Sequence, residues 1–138
     1  REYDFLMAKY TEDNHARSML FDDIYEDVFG IFTKHIDISE IKTDKYLLRH
    51  FINLALRETM LTVCPFCHGR GVIKTKNSIE KCYHCEGTGQ FIYDDDNRPE
   101  FLGMKKEEYM DYKKPYIEVL EMVKNIEINA LAKIGDDS

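Results

Sequence analysis

The sequence predicts a mainly α-helical chain, one compact domain, interrupted by a small β-hairpin insert that carries every cysteine. Three observations predict it. Apolar residues recur at helical spacing on both sides of the middle of the chain, two short alternating runs flank Asn77, and all four cysteines fall between residues 64 and 85. A chain of 138 residues suits one domain burying roughly two thirds of the surface its unfolded form exposes. The expected organisation is an N-terminal helical part over residues 1–63, the cysteine insert over 64–93, and a C-terminal helical part over 94–138 that packs on the first.

In the first part, Asn14 is the expected cap of a helix from His15 to His35. Leu20, Ile24, Val28 and Ile31, flanked by Phe21, Tyr25, Phe29 and Phe32, form its apolar stripe. Gly30 costs about 1 kcal/mol relative to Ala inside such a helix, so it marks either close packing or an early end. A connector over Ile36 to Lys42 leads to Thr43, the expected cap of a second helix reaching Leu61, with Leu47, Leu48, Phe51, Ile52, Leu54 and Ala55 as its face. Beyond the insert, Asp94 to Pro99 reads as a loop. Lys105 to Lys113 reads as a short helix ending before Pro115, because the residue before a proline disfavours the α region. Pro115 then opens a last helix to Lys133, with Gly135 as its stop and the final three residues frayed.

Composition narrows the function classes. No run approaches the roughly 18 to 20 apolar residues of a membrane helix, and Arg1 to Tyr10 has no apolar signal core, so a cytoplasmic protein is expected. The formal charge of −7 argues against coating nucleic acid by bulk electrostatics. Residues 1–63 carry 8 basic and 12 acidic side chains, residues 64–93 carry 4 and 2, and residues 94–138 carry 7 and 12, so only the cysteine segment is basic. His15, His35 and His50 stand far apart, and there is no serine-nucleophile phrase and no phosphate-binding glycine loop, so no catalytic residues are assigned and an enzyme is not expected.

The cysteines form the chain's one internal repeat: Cys64-Pro65-Phe66-Cys67-His68-Gly69-Arg70-Gly71 and Cys82-Tyr83-His84-Cys85-Glu86-Gly87-Thr88-Gly89. A Cys-x-x-Cys turn directs two sulfurs at one metal. The glycines that follow permit the positive φ that turns backbone amides toward the thiolates. Two such turns complete a tetrahedron with no open position, which points to one structural zinc ion on Cys64, Cys67, Cys82 and Cys85. Iron is the other metal such a set accepts. A pair of disulfides or a redox Cys-x-x-Cys is the reading without metal, disfavoured in a cytosolic chain lacking a thioredoxin-like pattern. His68 and His84 are expected to stay outside the four-sulfur set, exposed or hydrogen-bonded to it.

Between the two turns, Val72 to Lys76 and Ser78 to Lys81 alternate as the arms of a hairpin, and Phe91 to Tyr93 supplies a further strand. Arg70, Lys74, Lys76 and Lys81 are then candidates for one face that contacts nucleic acid or a partner, with Phe66, Tyr83 or Tyr93 available to stack on a base. The plainer alternative is a solvated ribbon surface.

The repeated C-x-x-C-x-G-x-G phrase resembles the cysteine-rich zinc domain of DnaJ-type co-chaperones over about 28 of the 138 residues, with two phrases in place of four and no His-Pro-Asp tripeptide. Set between helical segments, the phrase also looks like the zinc-binding part of the lambdoid phage Q antitermination proteins. That resemblance implies a phage-encoded regulator of bacterial transcription, and the acidic composition, with many Lys, Glu, Asp, Ile and Tyr residues and no Trp, suits an early phage protein. It would promote read-through in the bacterial host cytoplasm by binding RNA polymerase, a termination factor or nascent RNA, with no membrane and no small-molecule substrate. The acids at Asp22, Asp23, Glu26, Asp27 and Asp94 to Asp96 would then either engage basic surfaces or form a solvated face. The co-chaperone resemblance implies the alternative, a chaperone-like adaptor module holding an unfolded or partner protein.

Overall fold

The computed structural model describes residues 1–44, 46–60 and 63–136, without the side chains of residues 43, 135 and 136. It is mainly helical with one small antiparallel hairpin, in the order α1 (Glu2–Tyr10), α2 (Asn14–His35), α3 (Ile38–Thr43), α4 (Leu47–Met60), β1 (Val72–Lys74), β2 (Ile79–Lys81), α5 (Arg98–Leu102) and α6 (Lys106–Asp136). The chain forms two compact units. One joins Arg1–Met60 with Asp95–Ser138, and the other is Leu61–Asp94.

In the helical unit, Ala16, Leu20, Ile24, Val28 and Phe32 are buried at every fourth position of α2. They meet the wide apolar face of α4, on which Leu48, Phe51, Ile52 and Leu56 are at most 2 % exposed. Helix α6 lies against α1, α2 and α4, contributing Tyr109, Tyr116, Val119 and Val123, all fully buried. Phe51 stands at the centre, its ring 5.1 Å from Phe32, 5.6 Å from Tyr112 and 5.5 Å from Tyr116.

Several boundaries differ from the sequence expectation. Residues 2–10 form a helix, with Phe5 fully buried. Asp13, not Asn14, caps α2: its backbone is extended and its carboxylate accepts from the Ala16 amide at 3.1 Å, placing a full charge at the positive end of the helix dipole. The connector contains α3, capped by Asp37, whose carboxylate accepts from Ser39. Thr43 is the last residue of α3 and not a cap; Asp44 accepts from the Tyr46 amide in the turn leading to α4. Leu61, the expected end of α4, lies outside the described residues, as do Asp137 and Ser138. Arg98 and Pro99 open α5 rather than closing a loop, since proline fits the first turn of a helix. Gly135 does not stop α6, whose last residue is Asp136.

The largest departure is at Pro115. Lys106–Asp136 is a single helix with the proline inside it. An interior proline costs about 3 kcal/mol through its missing N–H and its ring. Here the cost is met by aromatic anchors on either side, because Tyr109 and Tyr116 are both fully buried and both hydrogen-bonded to the rest of the unit. Tertiary burial overrides the local preference.

Gly30 lies inside α2, and a Cβ added there would meet nothing within 4 Å. Neither close packing nor helix termination explains it. Gly30→Ala is therefore expected to stabilise the helical unit by about 1 kcal/mol, read as a higher midpoint in urea.

Candidate metal centre

The cysteine unit is built as a two-fold repeat at an offset of 18 residues, and its hydrogen bonds repeat with it. Cys64 N donates to Gly89 O at 2.8 Å, and Cys82 N to Gly71 O at 2.9 Å. Arg70 N donates to Cys67 O and Thr88 N to Cys85 O, both at 3.1 Å. The Gly71 amide donates to Cys67 Sγ at 3.2 Å and the Gly89 amide to Cys85 Sγ at 3.4 Å. Each phrase enters the left-handed region at three residues, the first two with φ of 55° at His68 and at Glu86 followed by 81° at Gly69 and 80° at Gly87.

The final glycine of each phrase allows the two turns to meet. A Cβ on Gly71 would sit 2.5 Å from the Gly87 carbonyl oxygen, and one on Gly89 would sit 2.5 Å from that of Gly69, at φ of 78° in both cases. No side chain fits there without moving backbone. Gly71→Ala and Gly89→Ala are each expected to drive the turns apart and lower metal affinity at least tenfold, measured by competition with a chromophoric chelator. Gly103→Ala in the helical unit, where φ is also positive but the space is open, should leave that affinity unchanged.

This frame gathers the four sulfurs. All lie within 4.8 Å of one another, with Cys64 Sγ 3.9 Å from Cys82 Sγ and Cys67 Sγ 3.6 Å from Cys85 Sγ. A tetrahedron of metal–sulfur bonds about 2.3 Å long has edges of about 3.8 Å. A disulfide requires about 2.05 Å, and the four cysteines are free thiols. Every one is buried, between 0 % and 7 % exposed, with Ile73 and Phe91 packed against the cluster. Without metal the thiols would differ sharply. Burial pushes Cys64 up to about 11. At Cys85 burial acts in the same direction, but the Gly89 amide, the neighbouring cysteines and the Gly87 amide outweigh it and hold the thiol down at about 6. The four cysteines could thus hold a metal ion in a closed, water-poor site, the arrangement of a structural centre rather than a catalytic one.

The hairpin between the turns is shorter than expected. Val72 pairs with Lys81, Ile73 with Glu80 and Lys74 with Ile79, and the chain reverses at Thr75 to Ser78, where Thr75 N donates to Ser78 O at 2.8 Å. Phe91 to Tyr93 is not a strand. Among the described residues the pairing there is a single bridge between Val63 and Gln90, and Phe91 packs against the sulfur cluster.

The register sorts the proposed contact residues. Directly opposed residues of an antiparallel pair share a face, so Lys74 and Lys81 lie together with Val72 and Ile79 on the face opposite Ile73. Lys76 is at the exposed hairpin tip, and Arg70 is exposed within the first cysteine turn. Lys81 also covers backbone: its Cγ lies where a Cβ on Gly87 would be only 3.1 Å away. Phe66 and Tyr83 are 40 % and 76 % exposed and are joined through His84, whose ring stacks on Phe66 at 3.6 Å and lies 4.1 Å from Tyr83. Phe66 continues to Phe91 at 5.8 Å and Phe91 to Tyr93 at 4.8 Å. Neither His68 nor His84 belongs to the sulfur cluster. The sequence reading missed the roles of His84 and Phe91, although the 18-residue offset does equate Phe66 with His84 and so brings them face to face. Of the acidic groups, Asp23 and Asp27 are bridged by Arg1, and Asp95 and Asp96 by Lys113, Arg98 and Lys106.

No family model matches the chain, and no curated protein or solved structure matches it. No described helix is long and apolar enough to cross a membrane.

Proposed function

We propose that the chain is a zinc-stabilised regulatory protein that acts on bacterial transcription by contact, as an antiterminator does. Cys64, Cys67, Cys82 and Cys85 would hold one structural Zn²⁺, because a closed tetrahedral four-thiolate site is a common environment of structural zinc. The observation that carries the reading is the surface built around that site. Aromatic rings run from Tyr83 through His84 and Phe66 to Phe91 and Tyr93, and the same segment, the chain's one basic segment, carries the exposed Arg70, Lys74, Lys76 and Lys81. Exposed aromatic side chains and arginine are enriched at binding surfaces. The choice of transcription rests on the resemblance of the repeated phrase to the Q-type zinc module, with RNA polymerase or a termination factor as partner and nascent RNA as a further contact. A second reading, a chaperone-like adaptor module, is favoured by the exposure of Val72 at 43 % and Ile79 at 70 % on the outer hairpin face.

Binding of the labelled, zinc-loaded chain to purified bacterial RNA polymerase, a purified termination factor and single-stranded RNA tests the proposal. The expected result is micromolar or tighter binding to one of the two proteins, weakened at least tenfold in Tyr83→Ala and in the Lys74→Glu, Lys81→Glu double variant, with metal content unchanged. Absence of binding to all three, together with suppression of client aggregation by the zinc-loaded protein, would replace this reading by the adaptor one.

A further inference from the structure

The helical unit carries a second feature, unconnected with the sulfur cluster. Between α2 and α4 runs a groove of about 450 Å³, a size typical of small-ligand clefts, roughly 300 to 1,000 Å³. An adjoining hollow of about 370 Å³ shares Phe21, Asp22, Tyr46 and Arg49 with it. We propose that this groove binds a phosphate-bearing nucleobase ligand, a nucleotide either free or within a single strand, with Arg17 and Arg49 on the phosphate and the Phe21 side of the groove against the base.

Charge favours a phosphate here. The chain has 26 acidic side chains against 19 basic ones, and Arg1 and Arg98 are each held by carboxylates. Arg17, Arg49 and Arg57, on the facing helices α2 and α4, make no salt bridge among the described residues. Arg49 lies over the Phe21 ring at 5.7 Å and Arg57 over Phe101 at 5.3 Å. Arg17 is half-buried, and its guanidinium is made more acidic first by that burial and then by the charge of Arg57. A bound anion offsets both costs, and guanidinium forks match phosphate oxygens two at a time.

The groups around the arginines suit a base. Arg49 and Phe21 form a cation-on-ring plate, and planar bases stack on aromatic and guanidinium faces. Asn53 and His50 offer donors and acceptors of the kind that read base edges. Asp22 is the carboxylate of the lining. It disfavours bare phosphate and suits the ribose hydroxyls or an exocyclic amine, which is why a nucleotide fits better than a simple anion.

The test uses the zinc-loaded full chain. ¹⁵N spectra are recorded during titration with AMP, UMP and inorganic phosphate, and anisotropy is measured with a fluorescein-labelled eight-nucleotide single-stranded RNA. The expected result is shifts centred on Arg17, Phe21, Arg49 and Asn53 with a nucleotide or the strand, and at least tenfold weaker response to inorganic phosphate. Arg17→Ala and Arg49→Ala should each weaken binding at least tenfold and reduce the salt dependence by about one phosphate contact. Saturation by a mononucleotide identifies a free nucleotide as the source, and saturation only by the strand identifies nucleic acid. The Lys74→Glu, Lys81→Glu variant, which tests the contact surface of the cysteine unit, should leave this site unaffected. Should Arg17→Ala unfold, Arg17→Lys keeps stem and charge but lacks the fork and should still bind at least fivefold more weakly. Absence of shifts at millimolar ligand, shifts confined to residues 64–93, or full binding by the Arg17 and Arg49 variants would overturn the proposal.

Discussion

Cys64→Ser and Cys85→Ser are each expected to lose stoichiometric metal and to unfold residues 63–94 while α1 to α6 keep their helical signal. In the cysteine unit the buried cluster consists of the four sulfurs with Ile73 and Phe91 beside them, and its hairpin has three residues per strand. A two-stranded hairpin with so little apolar burial is marginal alone in water. On the proposed reading the missing stability comes from the metal, since structural zinc binding in small zinc-finger peptides is worth about 10 to 16 kcal/mol near neutral pH. Removing one ligand leaves three buried thiols, an open position and two turns joined by the short hairpin and by hydrogen bonds such as Cys64 N–Gly89 O and Cys82 N–Gly71 O. The helical unit closes its own core around Phe51, Phe32 and Tyr116, so its melting curve should persist. Metal analysis with far-ultraviolet circular dichroism and amide spectra separates the two effects, and loss of all helical signal would contradict the independence of the units.

Glu58→Ala is expected to destabilise the helical unit by about 3 to 5 kcal/mol, the usual cost of breaking a buried ion pair from one side. Glu58 takes two hydrogen bonds from Arg98, at 2.9 and 3.1 Å, and a third from the Tyr116 hydroxyl. The two charged side chains are only 7 % and 11 % exposed. Arg98 also donates to Tyr109 at 3.1 Å, Tyr109 donates to Asp95 at 3.0 Å, and Lys113 closes the chain on Asp95 at 2.6 Å. Burial pushes the Tyr109 hydroxyl up to about 12, and Lys113 is the first cause holding the Asp95 carboxyl below its ordinary value. The network therefore clamps the end of α4 to the start of α5, the two points between which the cysteine unit is inserted. Truncating Glu58 leaves the Arg98 guanidinium its contacts to Tyr109 and Asp95 but removes two of its hydrogen bonds and the acceptor of the buried Tyr116 hydroxyl. Glu58→Met combined with Arg98→Met should recover most of the loss, since neither charge is then left alone. Urea denaturation of the single and double variants measures both values.

What the sequence disclosed, and what it hid, follows the range of the interactions. The cysteine set was legible because ligand geometry is local: two Cys-x-x-Cys turns and their glycines carry their own instructions. The stripe of α2 and the wide face of α4 were legible for the same reason, since helical periodicity is a near-neighbour property. Helix α1 escaped because it buries little beyond Phe5 and Ala8 and has no side-chain cap. Pro115 misled because its local preference is overruled by Tyr109 and Tyr116, whose partners Glu58 and Asp95 lie 58 and 14 residues away. The strand expected at Phe91 failed because an apolar run specifies burial, not pairing, and here burial is against sulfur. The Arg17 and Arg49 groove had no signal in either helix read alone.

X-ray absorption at the zinc edge of the purified chain tests the central claim most directly. The account predicts one zinc per chain with four sulfur neighbours at about 2.3 Å and no lighter atom in the first shell. Nitrogen or oxygen in that shell, or a purified, folded cysteine unit without stoichiometric metal, would contradict it.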